Sequence, residues 1–118
     1  MSQQNKDLVT KANKTFETND MEALLSYCTD DFEWTMVGEK PLRGKAAVRE
    51  AMGQGGGEPP SFDVKTMVAE GDTVVCIGDM TMKHEGDLKP YGYCDVWQIR
   101  DGKIASLKAF VIGTASAQ

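Results

Sequence analysis

Nowhere in the 118 residues do lysine and arginine gather into a stripe that could follow a phosphate backbone, and 13 basic against 18 acidic side chains leave a net charge of -5. Nucleic acid is therefore a poor partner. Long apolar runs are missing as well. No stretch is apolar for the length that crosses a bilayer, and the opening "MSQQNKDLVTKANK" lacks the apolar centre of a signal peptide. The expectation is a cytoplasmic protein with no membrane partner. Cysteine is scarce and unpatterned: Cys28, Cys76 and Cys94 lie far apart, odd in number and without CxxC spacing, which leaves buried free thiols as the reading. Histidine occurs once. His84 stands beside Glu85 and Asp87 in "KHEGDLK", a spacing around glycine that reads as a solvated hairpin turn rather than a metal site. No metal and no cofactor are expected.

A hydrophobic share of 41% and a charged share of 26% describe an ordinary globular chain, here a single domain over residues 1–118. Leu8, Val9, Ala12 and Phe16 recur at helical spacing up to "TND", where Asn19 can close one helix and Asp20 can cap the next, "MEALLSYC". In "DDFEWTMVG" the apolar residues Phe32, Trp34 and Met36 alternate with polar ones at strand period, and "EKPLRG" turns the chain. "KAAVREAM" is a short third helix. The glycines and prolines of "GQGGGEPPS" forbid regular structure, lack the partners of a phosphate loop, and read as a mobile connection that can serve as a lid. From Ser61 onward four strands follow, "SFDVKTMVAE", "TVVCIGDMTMKH", "LKPYGYCDVWQI" and "KIASLKAFVI", separated by turns at "GD", "EGD" and "RDG". Three helices followed by a curved, mainly antiparallel β-sheet give an α+β fold with the helices on one face.

Strand alternation then sorts the side chains. Tyr91, Tyr93, Asp95, Trp97 and Ile99 share one face of the third long strand, so Asp95 is an acid in an aromatic row. A carboxyl there is costly to ionise, which raises its pKa toward the range of proton exchange at neutral pH. The structural alternative is a satisfied carboxylate or one at a wet edge. Gly78, inside a strand rich in β-branched residues and methionine, marks a bulge or leaves room for a ligand.

With "NDMEALLSYCTDDFEWTM", "PLRGKAAVREAM" and "DVWQIRDGKI" as landmarks, the chain from about Leu8 to Ile112 resembles the SnoaL-like and ketosteroid isomerase-like proteins of the nuclear transport factor two-like superfamily. That resemblance implies a cone-shaped fold and leaves the function open, because the fold hosts isomerases, cyclases, hydrolases, dehydratases and non-catalytic modules. It puts Asp95 where ketosteroid isomerases carry the neutral carboxylic acid of their oxyanion hole. Their first-helix tyrosine falls on Ala12 and their aspartate base on Met36, so the resemblance does not extend to steroid isomerisation by that mechanism. It implies an apolar cavity lined by Phe16, Cys28, Trp34, Gly78, Met80 and Leu107, with Met36 and Trp97 alongside and Asp95, Tyr91 and Tyr93 as polar handles. Three readings follow. One is an isomerase, cyclase or lyase acting on a small apolar carbonyl compound, with Asp95 as acid/base and a tyrosine orienting the carbonyl. Another is a module that binds such a molecule unchanged. The third is a filled structural domain. A homodimer through the outer sheet face, where Ser106, Lys108, Phe110 and Ile112 alternate, is what the resemblance implies about assembly.

Overall fold

A computed structural model describes residues 2–53, 61–84 and 86–114. Helix α1 spans Ser2–Glu17 and turns Val9 and Ala12 fully inward. It stops where Asn19 enters the left-handed region at φ 58°, a conformation asparagine tolerates better than most residues. Asp20 then caps α2, Met21–Ser26, by accepting the Ala23 N–H at 3.1 Å. Helix α3, Lys45–Gly53, buries Val48. The stretch 54–60, which holds most of the glycine-rich connection, lies outside the described residues.

The six strands are β1 (Cys28–Met36), β2 (Leu42–Arg43), β3 (Ser61–Glu70), β4 (Thr73–His84), β5 (Asp87–Arg100) and β6 (Lys103–Gly113). They form one sheet in the order β2-β1-β6-β5-β4-β3, antiparallel throughout except where β1 runs parallel to β6. This is the α+β architecture expected, a curved sheet with the helices packed on its concave face.

Three local details differ from the sequence reading. Cys28 opens β1 instead of closing α2, because α2 ends at Ser26 with Tyr27 as its C-cap. Leu42 and Arg43, placed by the sequence in a turn, add a short edge strand opposite Trp34 and Glu33. The parallel pairing of β1 with β6 joins chain segments about seventy residues apart, which local pattern does not encode.

Besides a register shift between Cys28 and Glu33 in the β1–β6 pair, two bulges set the registers around the cavity. In β3 the pairing with β4 slips between Val64 and Thr66, and in the β5–β6 pair it slips between Gln98 and Ile99. The second slip lies beside a tight turn in which Asp101 and Gly102 both take positive φ. It leaves Asp95 opposite Ala109 and Tyr93 opposite Val111, and so decides which β6 side chains face the acid.

Candidate functional site

A cavity of about 180 Å³ opens on the concave face of the sheet. Helix α1 contributes Phe16, β1 contributes Trp34 and Met36, and β3 contributes Phe62. Met80 and Met82 come from β4, Tyr93 and Asp95 from β5, and Leu107, Ala109 and Val111 from β6. Period-two alternation puts each strand's contribution on this one face, and the sheet's curvature brings the rows together. Phe16 packs edge-on to Trp34 with ring centroids 5.4 Å apart, and Phe62 meets Tyr93 in the same way at 5.4 Å.

Asp95 is the one carboxylate on this wall, and no lysine, arginine or histidine lines it among the described residues. It is 5% exposed, sits directly across from Cys76, and receives no side-chain hydrogen bond from any described residue. Burial therefore acts on it unopposed and pushes its pKa up to about 7. Two donors on the same wall are also buried without partners, the Tyr93 hydroxyl and the Trp34 indole N–H. Burial, then the proximity of Cys76 and Asp95, raises the Tyr93 pKa, so this phenol keeps its proton. The Cys76 thiol, pushed up to about 11 chiefly by burial, stays neutral beside them.

The residues expected on the cavity separate into two groups. Phe16, Trp34, Met36, Met80, Tyr93, Asp95 and Leu107 come together there. Cys28, Gly78, Tyr91 and Trp97 do not. Cys28 is buried below a separate polar hollow beside Lys45 and Lys103, donates its thiol to the Leu24 carbonyl at 3.3 Å, and has its pKa pushed up to about 12 by burial. Trp97 has no exposed surface and is core. Tyr91 is half-buried, with its ring beside Gly113.

At Gly78 the bulge alternative holds and the expected place on the cavity lining does not. A Cβ there would collide with the Asp63 carbonyl and crowd the Lys65 nitrogen, so the missing side chain makes room for the bulged backbone of β3 and not for a ligand. Phe62, Met82, Ala109 and Val111 join the wall beyond the residues the sequence points to. Met82 is legible as the next member of the Met80 row, and Ala109 and Val111 as the next members of the Leu107 row, whereas their pairing with Asp95 and Tyr93 depends on the β5–β6 bulge. The His84 backbone pairs with Asp87, Glu85 lies outside the described residues, and no group of three possible ligands for a metal occurs among the described residues.

A second hollow of about 230 Å³ shares Trp34 and Met36 with the cavity and is otherwise lined by Glu39, Lys40, Leu42 and Ala51. Trp34 and Met36 thus border both the apolar cavity and a second hollow that carries the charged side chains of Glu39 and Lys40. No described helix is long and apolar enough to cross a membrane.

Among solved structures the architecture recurs at low sequence identity. An NTF2-like protein of Burkholderia xenovorans is 22% identical, with 94% of this chain and 91% of that one covered and a TM-score of 0.76. An LEH-like epoxide hydrolase of M. tuberculosis is 15% identical, with 93% and 84% covered and a TM-score of 0.83. A candidate SnoaL-like polyketide cyclase of Jannaschia sp. is also 15% identical, with 94% and 87% covered and a TM-score of 0.82. No curated protein matches the chain. The family model of the SnoaL-like domain matches residues 9–107, a span that runs from the first fully buried apolar position of α1 to the cavity wall on β6, and the chain belongs to the SnoaL-like family.

Proposed function

We propose that the protein is a small acid/base enzyme, an isomerase, cyclase or lyase acting on a compact apolar carbonyl compound in the Asp95 cavity. The observation that carries this reading is a desolvated carboxyl, unpaired and facing an apolar cavity, with a pKa near 7. In this mechanism the Asp95 carboxylate takes a proton from the carbon next to the carbonyl. The C–H electron pair becomes a C–C π bond, and negative charge collects on the carbonyl oxygen. Tyr93 donates a hydrogen bond to that oxygen. Asp95 then returns the proton to another carbon, which isomerises the substrate, or the enolate carbon attacks a second carbonyl within the same molecule, whose C–O π pair moves to oxygen and takes the proton back from Asp95, which closes a ring as a β-hydroxy ketone.

Cavity size narrows the substrate. An apolar cavity of about 150 Å³ holds benzene, and drug-sized pockets begin near roughly 300 Å³. At about 180 Å³ the chamber suits a single ring or a short branched chain, not a fused polycycle. The relatives named as an epoxide hydrolase and a candidate polyketide cyclase have small-molecule chemistry assigned to the same architecture. Exchange of the α-hydrogens of cyclohexanone for deuterium, followed by NMR in D2O, tests the proposal. Wild type should accelerate exchange roughly a hundredfold over Asp95→Asn, with a pH midpoint near 7. Equal rates in the two proteins would rule the mechanism out.

One observation favours a second reading, binding without turnover. Ala12 and Met36 stand where the resemblance would place further catalytic groups, so Asp95 has no second acid/base from those positions. Recovery of unchanged ligand after saturation, with no α-exchange, would select that reading.

We also propose a homodimer formed through the outer sheet face. Val68, Val75 and Val96 align across β3, β4 and β5, and Ile77, Cys94 and Phe110 align across β4, β5 and β6. Val68, Ile77, Phe110 and Ile112 are exposed there, a contiguous apolar surface of the kind that marks protein interfaces.

A further inference from the structure

We infer that the Asp95 cavity is a binding site for small organic amines, held as ammonium ions by an ion pair with Asp95 inside a wall of aromatic rings. The charge pattern points there first. The wall carries a carboxylate and, among the described residues, no lysine, arginine or histidine, so a cation is the partner this acid lacks. An anionic ligand would add a second negative charge to a site with nothing to offset it.

Folding has already withdrawn Asp95 from most of the bulk solvent, leaving it 5% exposed. An incoming ammonium therefore meets an acid whose desolvation cost is largely met by folding, and gains a partner in a medium of low dielectric constant. Around the acid stand the rings of Phe16, Trp34, Phe62 and Tyr93, whose quadrupoles attract cations, and the polarisable thioethers of Met36, Met80 and Met82. A protein of net charge -5 favours arrival of a cation over arrival of an anion. The chamber of about 180 Å³ limits the ligand to roughly the size of benzylamine.

Linkage gives this mode a signature. The titratable groups facing Asp95 are Cys76 on β4 and Tyr93 on β5, both with raised pKa values, and the wall residues from α1, β1, β3 and β6 bring none. In the free protein the acid gains its charge as the pH rises through about 7. Ammonium binding therefore strengthens across that range. A neutral apolar ligand seals the same carboxyl from water and must keep it protonated, so its binding weakens.

The inference needs no turnover; it shares the cavity and the unpaired Asp95 with the acid/base reading but not the chemical step. The test is calorimetric titration of the full chain with benzylamine and with its neutral isostere ethylbenzene, at about pH 6 and about pH 8. A charge-assisted contact should make benzylamine bind about tenfold or more tighter than ethylbenzene at the higher pH. The preference should fall about a hundredfold on going to the lower pH, so that ethylbenzene binds at least as well as benzylamine there, and it should be lost at both pH values in Asp95→Asn. Parallel pH slopes for the two ligands in wild type would overturn the inference, as would failure of benzylamine to bind, and neither measurement depends on how the variant folds. Ketone α-exchange without amine binding would end this inference and leave the catalytic reading standing; amine binding without exchange would do the reverse.

Discussion

A carboxyl that ionises at 3.8 in water and near 7 in the folded chain stores a pH dependence in the fold. Between those values the folded protein holds a proton that the unfolded chain has released, so stability falls as pH rises from about 4 to 7 and then levels. The full effect is about 4 kcal/mol. Asp95→Asn, which carries no charge at any pH, should flatten that part of the profile and make the protein more stable than wild type at pH about 8, as urea denaturation across the range would show. Tyr93→Phe separates function from stability in a different way. The hydroxyl it removes is buried without a partner, so stability should hold or rise slightly, while ketone α-exchange should drop about tenfold or more. Asp95 is legible in the sequence because alternation alone puts it in the row of Tyr93 and Trp97, and that row is buried. Its solitude is not, because the groups that fail to reach it come from α1, β1, β3 and β6. Whether Tyr91 or Tyr93 meets the cavity is likewise undecided by a periodicity that places both on one face.

The bulges carry the next level of organisation. Gly78 lies under the β3 bulge, where a Cβ would strike the Asp63 carbonyl, so Gly78→Ala should cost about 3 kcal/mol in urea unfolding. Gly92 is the matched control on β5, since a Cβ added there would meet only the Thr114 methyl, at 3.7 Å. Gly92→Ala should change stability by no more than about 0.5 kcal/mol. Equal losses at both positions would detach Gly78 from the bulge. Helices and strands follow from period and turn chemistry: the Asp20 cap, the buried stripe of α1 and the Asp101–Gly102 hairpin stand where residue type alone puts them. The bulges do not, since one extra residue shifts a strand by a position that flanking composition does not mark. For the same reason the partners of Ala109 and Val111 on β5 are not legible, although alternation from Leu107 puts both on the inner face, and at Gly78 the choice between a bulge and a ligand is made only by the Asp63 carbonyl packed against it. The parallel β1–β6 pairing lies beyond local pattern for a simpler reason, the length of chain between the partners.

At the scale of the whole molecule the sheet has two working faces. Its concave side holds the cavity, and its outer side exposes Val68, Ile77, Phe110 and Ile112. If that outer surface joins two copies, light scattering should give twice the chain mass at micromolar concentration, and Phe110→Asp or Ile77→Asp should give the mass of one chain without unfolding it. A wild-type monomer would remove the dimer from the proposal and leave the cavity intact, because all its described lining residues belong to one chain. The acid/base reading and the amine inference depend together on one property, a buried and unpaired Asp95. The measurement that reaches it most directly is a carbon-13 NMR titration of the Asp95 carboxyl in the ligand-free protein, assigned by its loss in Asp95→Asn. A midpoint near 7 is the expected result, and a midpoint near 3.8 would contradict the whole account of the site.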